Sequence, residues 1–442
     1  MNLVFLGIVC IAVVVGGATG SMGEVSQAAF SSAKASVDLA IGLIGYMALF
    51  LGLLKVGEKG GLLRLLARAI RPIMVRLFPD VPPDHPAMGA MILNIAANMS
   101  GLGNAATPLG IKAMHELNKL NTRPGVATNA MVLFLAINTS GVALLPSGVV
   151  SVRAALDSQD PWGIVAPSLV ATLFSTIVGI TVAKLLCRLR FFAPPPAVDG
   201  VEVAEVKEPE VADADAAAAS GSGELTWGVW VLGAFLITAA ALLAGPTIGA
   251  AILGSQHPDA QGLRDFQSTV ADWIIPVMIV GLLGFGQAKG VKVYEAFVEG
   301  AKEGFEIAVR IIPYLVAILV AVGMFRASGA MDFVTGNIGV LSSLIGLPGE
   351  ALPMALVRPL SGSGAFGIMA EIMEANGPDS YTGYVVSVLN GSTETTFYVL
   401  AVYFGSVGVS RVRHAVATGL SADIAGVIAT GLACSFFFGH LQ

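Results

Sequence analysis

Asn98-Met-Ser-Gly-Leu-Gly-Asn-Ala-Ala-Thr-Pro108 is a run of small and polar residues inside a very apolar chain. A second version stands far downstream as Arg358-Pro-Leu-Ser-Gly-Ser-Gly-Ala-Phe-Gly367. Sliding one over the other puts Ser100 on Ser361, Gly101 on Gly362 and Gly103 on Gly364. Helix-breaking residues with apolar helix on both sides, present twice, predict a paired break of the backbone inside a membrane.

The setting supports a membrane. Hydrophobic residues make up 55% of the 442 residues and charged ones 12%, against about a quarter charged in a soluble domain. Mean hydropathy is +0.79. The chain is therefore an integral membrane protein, with the lipid bilayer as its first partner; the expectation is an all-α polytopic protein of the inner (plasma) membrane. It has no basic stripe for nucleic acid. Cys10, Cys187 and Cys434 are far apart in apolar runs, and the five histidines are scattered, so neither a metal nor a cofactor is expected. A homo-oligomer is compatible with the sequence.

Apolar runs long enough to span, roughly 18 residues or more, lie near 2–19, 37–56, 126–149, 161–187, 225–245, 268–287, 305–325, 382–404 and 415–438. The first lacks a Lys or Arg ahead of it and reads as a retained span rather than a signal peptide. Between the second and third spans, Arg64, Arg68 and Arg71 recur at helical spacing opposite leucines, the pattern of an interfacial amphipathic helix. Residues 191–224 combine Pro, Glu, Asp and Ala and end in Ser220-Gly-Ser-Gly223, a disordered acidic linker by composition.

The linker separates two repeats. Ala33–Tyr46 aligns without gaps with Ala301–Tyr314, and Gly61 falls on Gly329. Lys34 alone is basic in the loop 20–36, whereas Lys55, Lys59, Arg64, Arg68, Arg71 and Arg76 crowd the next connection. In the second half the order reverses: Lys289, Lys292 and Lys302 come first, and then Arg326 alone. By the positive-inside rule the halves point in opposite directions, and the unmatched span 225–245 supplies the inversion. Lys112, Lys119, Arg123, Lys184, Arg188 and Arg190 share one face only if residues 86–112 dip in and return. The expectation is two inverted repeats with re-entrant helical hairpins, the second near 349–376, entering from opposite faces. The domains are 1–190, the linker 191–224, the connecting span 225–245, and 246–442.

Two further polar breaks interrupt apolar spans at equivalent places: Ile137-Asn-Thr-Ser-Gly141 and Leu389-Asn-Gly-Ser-Thr-Glu-Thr-Thr396. Amides, hydroxyls and freed carbonyls at a helix break suit a polar solute or an ion. The candidate binding residues are Asn98, Ser100, Gly101, Gly103, Asn104 and Thr107 in the first hairpin, and Asn138, Thr139 and Ser140 in the first break. Arg358, Ser361, Gly362, Ser363 and Gly364 belong to the second hairpin, and Asn390, Ser392, Thr393, Glu394, Thr395 and Thr396 to the second break. Any single hydroxyl is more often interhelical glue; the four matched clusters together carry the argument. Glu394 and Arg358 are ionisable groups near membrane depth. Glu394 suits a coupling proton or cation; Arg358 suits an anionic solute or an ion pair with Glu394. Asp423 in the last span is a weaker candidate. Gly362-Ser-Gly-Ala-Phe-Gly367 fits a dinucleotide fingerprint in letters, but no parallel sheet surrounds it. No nucleophile–base pair is visible, so an enzyme is not expected.

The stretch 98–114, preceded by Phe78-Pro-Asp-Val-Pro-Pro-Asp-His-Pro-Ala-Met-Gly89, resembles spore maturation protein A. Arg358–Ala365, Gly391-Ser-Thr-Glu-Thr-Thr-Phe-Tyr-Val399 and Tyr403-Phe-Gly-Ser-Val-Gly408 resemble spore maturation protein B. The chain looks like a fusion of the two, and both resemble the Gate, or nucleoside recognition, superfamily, which includes parts of concentrative nucleoside transporters and of ferrous-iron transport protein B. The resemblance implies re-entrant hairpins and a transport-like core, and it supplies no substrate. The function expected is secondary transport or regulated permeation of a small polar solute, whether nucleoside-like, ionic or envelope-related. The rival is a non-transporting scaffold in cell-envelope or spore maturation.

Overall fold

The computed structural model describes residues 2–194, 275–331, 333, 342 and 344–441. The linker 191–224 lies almost wholly outside these residues, and the span 225–245 entirely so. In chain order the helices are α1 (Asn2–Thr19), α2 (Met22–Lys59), α3 (Leu62–Leu77), α4 (Pro86–Met99), α5 (Gly103–Lys119), α6 (Asn129–Ser140), α7 (Ser147–Ala155) and α8 (Val165–Leu186). After the undescribed stretch come α9 (Ile275–Ala288), α10 (Val293–Ala327), α11 (Leu352–Val357), α12 (Gly362–Asn376), α13 (Tyr381–Ser392), α14 (Thr396–Ser406) and α15 (Ala415–Phe438).

Among the described residues α2, α8, α10 and α15 are long and apolar enough to cross a membrane. The spans expected at 37–56 and 305–325 are parts of longer helices, because the chain stays helical well beyond each apolar core. The spans expected at 126–149 and 382–404 are not continuous. Each stops at its polar break and restarts as a second helix, α6 into α7 and α13 into α14.

The described residues within 1–46, 66–211 and 306–442 form one compact unit, whose helices include α4–α8 and α11–α15. The other unit contains the end of α2 and, of the second half, α9 and the start of α10. In it Lys55 pairs with Glu58 at 3.3 Å and with Glu303 at 2.9 Å.

The repeat predicted from sequence is visible in local geometry. Gly61 and Gly329, matched by alignment, both take positive φ, +90° and +81°. Each follows a long helix, and each donates its N–H three residues back, to Glu58 and Arg326. A helix that ends this way needs a residue free of the Cβ penalty. Helices α6 and α13 match closely. Both have 12 residues, and both are capped by a hydroxyl, Thr128 Oγ1 accepting from Met131 N–H and Ser380 Oγ from Gly383 N–H.

The repeats run in opposite directions. The residues before α6 meet those after α14: Ala127 N–H donates to Arg411 O at 3.0 Å, and Ser410 N–H to Gly125 O at 3.0 Å. At the other end, the residues after α7 meet those before α13: Gln159 N–H donates to Asp379 Oδ2 at 2.7 Å. Thus α6–α7 lies antiparallel to α13–α14. The first end carries Arg123, Arg188, Arg190, Arg411 and Arg413, and the second carries Asp157, Asp160, Glu374 and Asp379 around the single buried Arg153, the asymmetry that positive-inside sorting produces.

An arginine clasps each end. Arg153, fully buried, donates to Pro378 O at 2.6 Å, to Asp160 O at 3.0 Å and to Asp379 Oδ1 at 2.8 Å. Its guanidinium stacks 4.2 Å above the Tyr384 ring. Arg413 donates to Phe192 O at 2.8 Å, to Ala127 O at 3.0 Å and to Asn129 Oδ1 at 2.9 Å. Beside it, burial and the Arg413 charge push the His414 imidazole down to about 4.

Candidate functional site

Helices α4 and α5 form a hairpin whose tip, Ser100–Leu102, turns on Gly101 at φ +76°. A Cβ on Gly101 would sit 2.6 Å from Leu145 O, so only glycine satisfies both the turn and the packing. His85 Nδ1 caps α4 by accepting from Ala87 N–H, with Pro86 at the first helical position. In the second hairpin α11 has only 6 residues, and Ser361 Oγ caps α12 by accepting from Gly364 N–H at 3.0 Å. The aligned serines therefore act differently. Ser100 Oγ turns back on its own helix, donating to Ala96 O at 2.9 Å.

The tips hold the breaks. Leu144 N–H donates to Met99 O at 2.9 Å, and Phe397 N–H to Pro359 O at 3.1 Å. The side chains follow the same plan. Asn98 Nδ2 donates to Asn138 Oδ1 at 3.0 Å. Arg358 Nη2 donates to Asn390 O at 2.9 Å and to Thr393 O, and its Nη1 to Thr395 Oγ1 at 3.4 Å. Asn138 and Asn390 are the matched residues of the two breaks, so each hairpin tip reaches its own break. The second tip does so with a full positive charge at the C-terminal end of α13, where carbonyl dipoles favour a cation.

The two breaks then meet. Glu394 N–H donates to Thr139 O at 2.6 Å, and Thr176 Oγ1 of α8 donates to Ser140 O at 3.3 Å. The carbonyls freed where α6 and α13 stop are thus satisfied by the opposite repeat or by a neighbouring side chain, as buried backbone requires. Glu394 lies 3.8 Å from Arg358 Nη2, with side-chain exposures of 56% and 7% respectively.

A second polar chain joins the repeats. Asn94 Nδ2 donates to Tyr403 Oη at 3.2 Å, and Tyr403 donates to Asn138 Oδ1 at 3.2 Å. Gly110 makes room for it, because a Cβ there would overlap the Tyr403 hydroxyl. Thr396 Oγ1 donates to Asp423 Oδ2 at 2.7 Å.

Several predicted residues do not join this centre. Ser140 and Ser392 return their hydroxyls to Ala136 O and Leu389 O, both at 2.9 Å. Thr107 is half-buried on α5, and the side chains of Gly103 and Asn104 are outside the described set. Ser361, Ser363 and Gly364 line a cavity of about 300 Å³ with Phe5, Tyr314, Ala317 and Ile318. A Cβ on Gly362 would stand 2.9 Å from Thr395 Oγ1, so Gly362 brings the second tip against the second break. Thr139 Oγ1 and Asn390 Oδ1 are buried without a protein partner. Sequence reasoning missed Asn94, Tyr403 and Arg153. A lone arginine just beyond an apolar run, Arg153, was the available signal for one of them.

Among the described residues no group of three or more His, Cys, Asp or Glu side chains is placed to hold a metal. What the centre offers is one exposed carboxylate, one buried guanidinium, and amide and hydroxyl groups.

The comparisons agree with this architecture. The nucleoside recognition (Gate) family model matches twice, over residues 40–156 and 308–410. Spore maturation protein B of Bacillus subtilis is 47% identical over 174 residues, 38% of this chain and 98% of its own length. Spore maturation protein A of the same organism is 44% identical over 184 residues, 42% of this chain and 94% of its own length. Inner membrane protein YjiG of Escherichia coli is 34% identical over 98 residues, 22% of this chain and 62% of its own. No solved structure matches. The chain belongs to the nucleoside recognition (Gate) family of membrane proteins, carries the domain twice, and is similar to both spore maturation proteins A and B.

Proposed function

We propose that this protein is a secondary transporter or permease of the inner (plasma) membrane for a small polar solute bound where the two broken helices cross. One observation carries the reading: Glu394, 56% exposed, sits in an unwound stretch between the basic and acidic ends of an apolar bundle. A charged carboxylate at that depth does not face hydrocarbon, so the opening beside it is polar. Arg358, held rigidly by two carbonyls, supplies the opposite charge. A solute with both a donor and an acceptor, such as a nucleoside, bridges such a pair by replacing its 3.8 Å contact. The re-entrant entry of the hairpins from opposite faces belongs to this proposal.

The scaffold reading has one observation on its side. The first hairpin tip is packed against Leu145 O without room for a Cβ, as in a static joint. A panel of nucleosides, amino acids and ions screened by thermal shift, on wild type and Glu394→Gln, separates the two readings. The transporter reading predicts that at least one solute stabilises the wild type, and stabilises Glu394→Gln at least tenfold more weakly in apparent affinity. Equal stabilisation of both proteins removes Glu394 from the site. No stabilisation by any solute favours the scaffold.

A further inference from the structure

Asp423 is a buried acid that the proposed solute site leaves unused. It lies within α15, 4% exposed. Its Oδ2 accepts one hydrogen bond, from Thr396 Oγ1, and its Oδ1 has no partner. Gly419 and Gly426 lie on the same helical face, about one turn to either side. A Cβ on Gly419 would stand 2.6 Å from Thr396 Cγ2, and one on Gly426 2.5 Å from Thr393 Cγ2. The glycines let the second break press directly onto α15, with Asp423 in the middle of the contact.

The surroundings decide what such a group can bind. From α8, Ser175 donates to Ala422 O at 2.8 Å, and the face towards α15 brings no charge. The charged groups of the second hairpin tip and break are Arg358 and Glu394, which lie 3.8 Å from each other. An ionised carboxylate with a bare oxygen at this depth is costly. A metal cation would relieve it only with several further oxygen ligands, and the carbonyls of Asn390 and Thr393 are already held by Arg358. A proton needs none. It converts the carboxylate to a neutral carboxyl that keeps its hydrogen bond with Thr396.

We propose that Asp423 is a proton-binding site whose occupancy controls how the second break seats on α15, so that the proton is the coupling ion. Proton binding stands on the geometry of Asp423; the coupling role rests on the transport reading above. When Asp423 is neutral, Thr396 and the two glycines seal the contact. When it is charged, the bare oxygen draws in water or Arg358 and loosens the break.

The test uses the whole protein reconstituted in lipid without solute, followed by pH-difference infrared spectroscopy. A protonated-carboxyl band should appear and disappear with pH in wild type and in Glu394→Gln, and be absent in Asp423→Asn. Thr396→Val, which removes its one hydrogen bond, should shift the band's frequency and gives a second readout if Asp423→Asn does not fold. Replacing choline by sodium at fixed pH should leave the band in place. A band unchanged in Asp423→Asn, one insensitive to Thr396→Val, or one abolished by sodium overturns the assignment. Failure of the solute screen with this band intact would sink the transport reading and leave the proton site standing.

Discussion

Gly110 carries no chemistry of its own, yet its replacement by alanine should be among the most damaging small changes in the protein. The added Cβ overlaps the Tyr403 hydroxyl and stands 2.8 Å from Cε1 of its ring. Tyr403 must retreat, and its bonds to Asn94 and Asn138, both already 3.2 Å, then exceed hydrogen-bonding distance. Two buried neutral hydrogen bonds contribute about 1 kcal/mol each. Overpacking adds about 1–3 kcal/mol, so Gly110→Ala should cost roughly 3–5 kcal/mol. Tyr403→Phe should cost only about 1–2 kcal/mol, because Asn94 keeps Ala106 O at 2.8 Å and Asn138 keeps Asn98 at 3.0 Å. Phenylalanine should not rescue Gly110→Ala, since the ring itself is in the way. Tyr403→Ala costs about 3–5 kcal/mol alone but should absorb the alanine at 110, leaving the double variant close to Tyr403→Ala. Chemical denaturation of the wild type, the three single variants and the two double variants in detergent measures both cycles. Gly110→Ala at wild-type stability, or full rescue by Tyr403→Phe, would refute the geometry.

Three further outcomes follow from the clasps and the second hairpin. Arg153→Met, which keeps bulk but loses the bonds to Pro378, Asp160 and Asp379, should destabilise by about 3 kcal/mol. Asp379→Asn, whose side chain is 33% exposed, should cost about 1 kcal/mol; the reverse order in thermal melts would contradict the clasp. His414, depressed from 6.5 to about 4, is protonated more readily in the unfolded chain. Its contribution is therefore complete above pH 6.5 and is lost as pH falls towards 4, about 3 kcal/mol in all. His414→Gln should flatten that part of the stability–pH curve, and an unchanged slope would exclude it. Arg358→Lys keeps the charge but not the planar fork that spans Asn390 O, Thr393 O and Thr395 Oγ1. It should cost about 2 kcal/mol in denaturant melts, and a silent substitution would show that the fork is dispensable.

Much of the architecture was legible because membranes restrict the choices. Period, length and Lys/Arg asymmetry announced an all-helical inverted repeat, and Gly61 and Gly329 marked its register correctly. The breaks at Ile137–Gly141 and Leu389–Thr396 were legible as polar interruptions that free backbone carbonyls, and both helices stop there. Which groups satisfy those carbonyls was not legible, because Arg358, Glu394 N–H and Thr176 reach them only through tertiary packing. The serines aligned at 100 and 361 misled for a related reason. One letter serves equally to return a bond to its own helix and to cap the next, and the tertiary environment decides. Tyr403 was out of reach because its partner Asn138 lies 265 residues away; Arg153 stood out as a lone arginine beyond an apolar run, but its partner Asp379, 226 residues away, did not. Pairings of that kind have no local period.

Inverted repeats put the loops before α6 and after α14 on one membrane face and those after α7 and before α13 on the other. A chain lacking Cys10, Cys187 and Cys434, with single cysteines at the exposed positions Thr122, Ser410, Gln159 or Ala375, tests it with a membrane-impermeant thiol reagent in sealed vesicles of known orientation. Positions 122 and 410 should label from the cytoplasmic side, and 159 and 375 from the opposite side. Labelling of 410 and 159 from the same side would rule out the inversion.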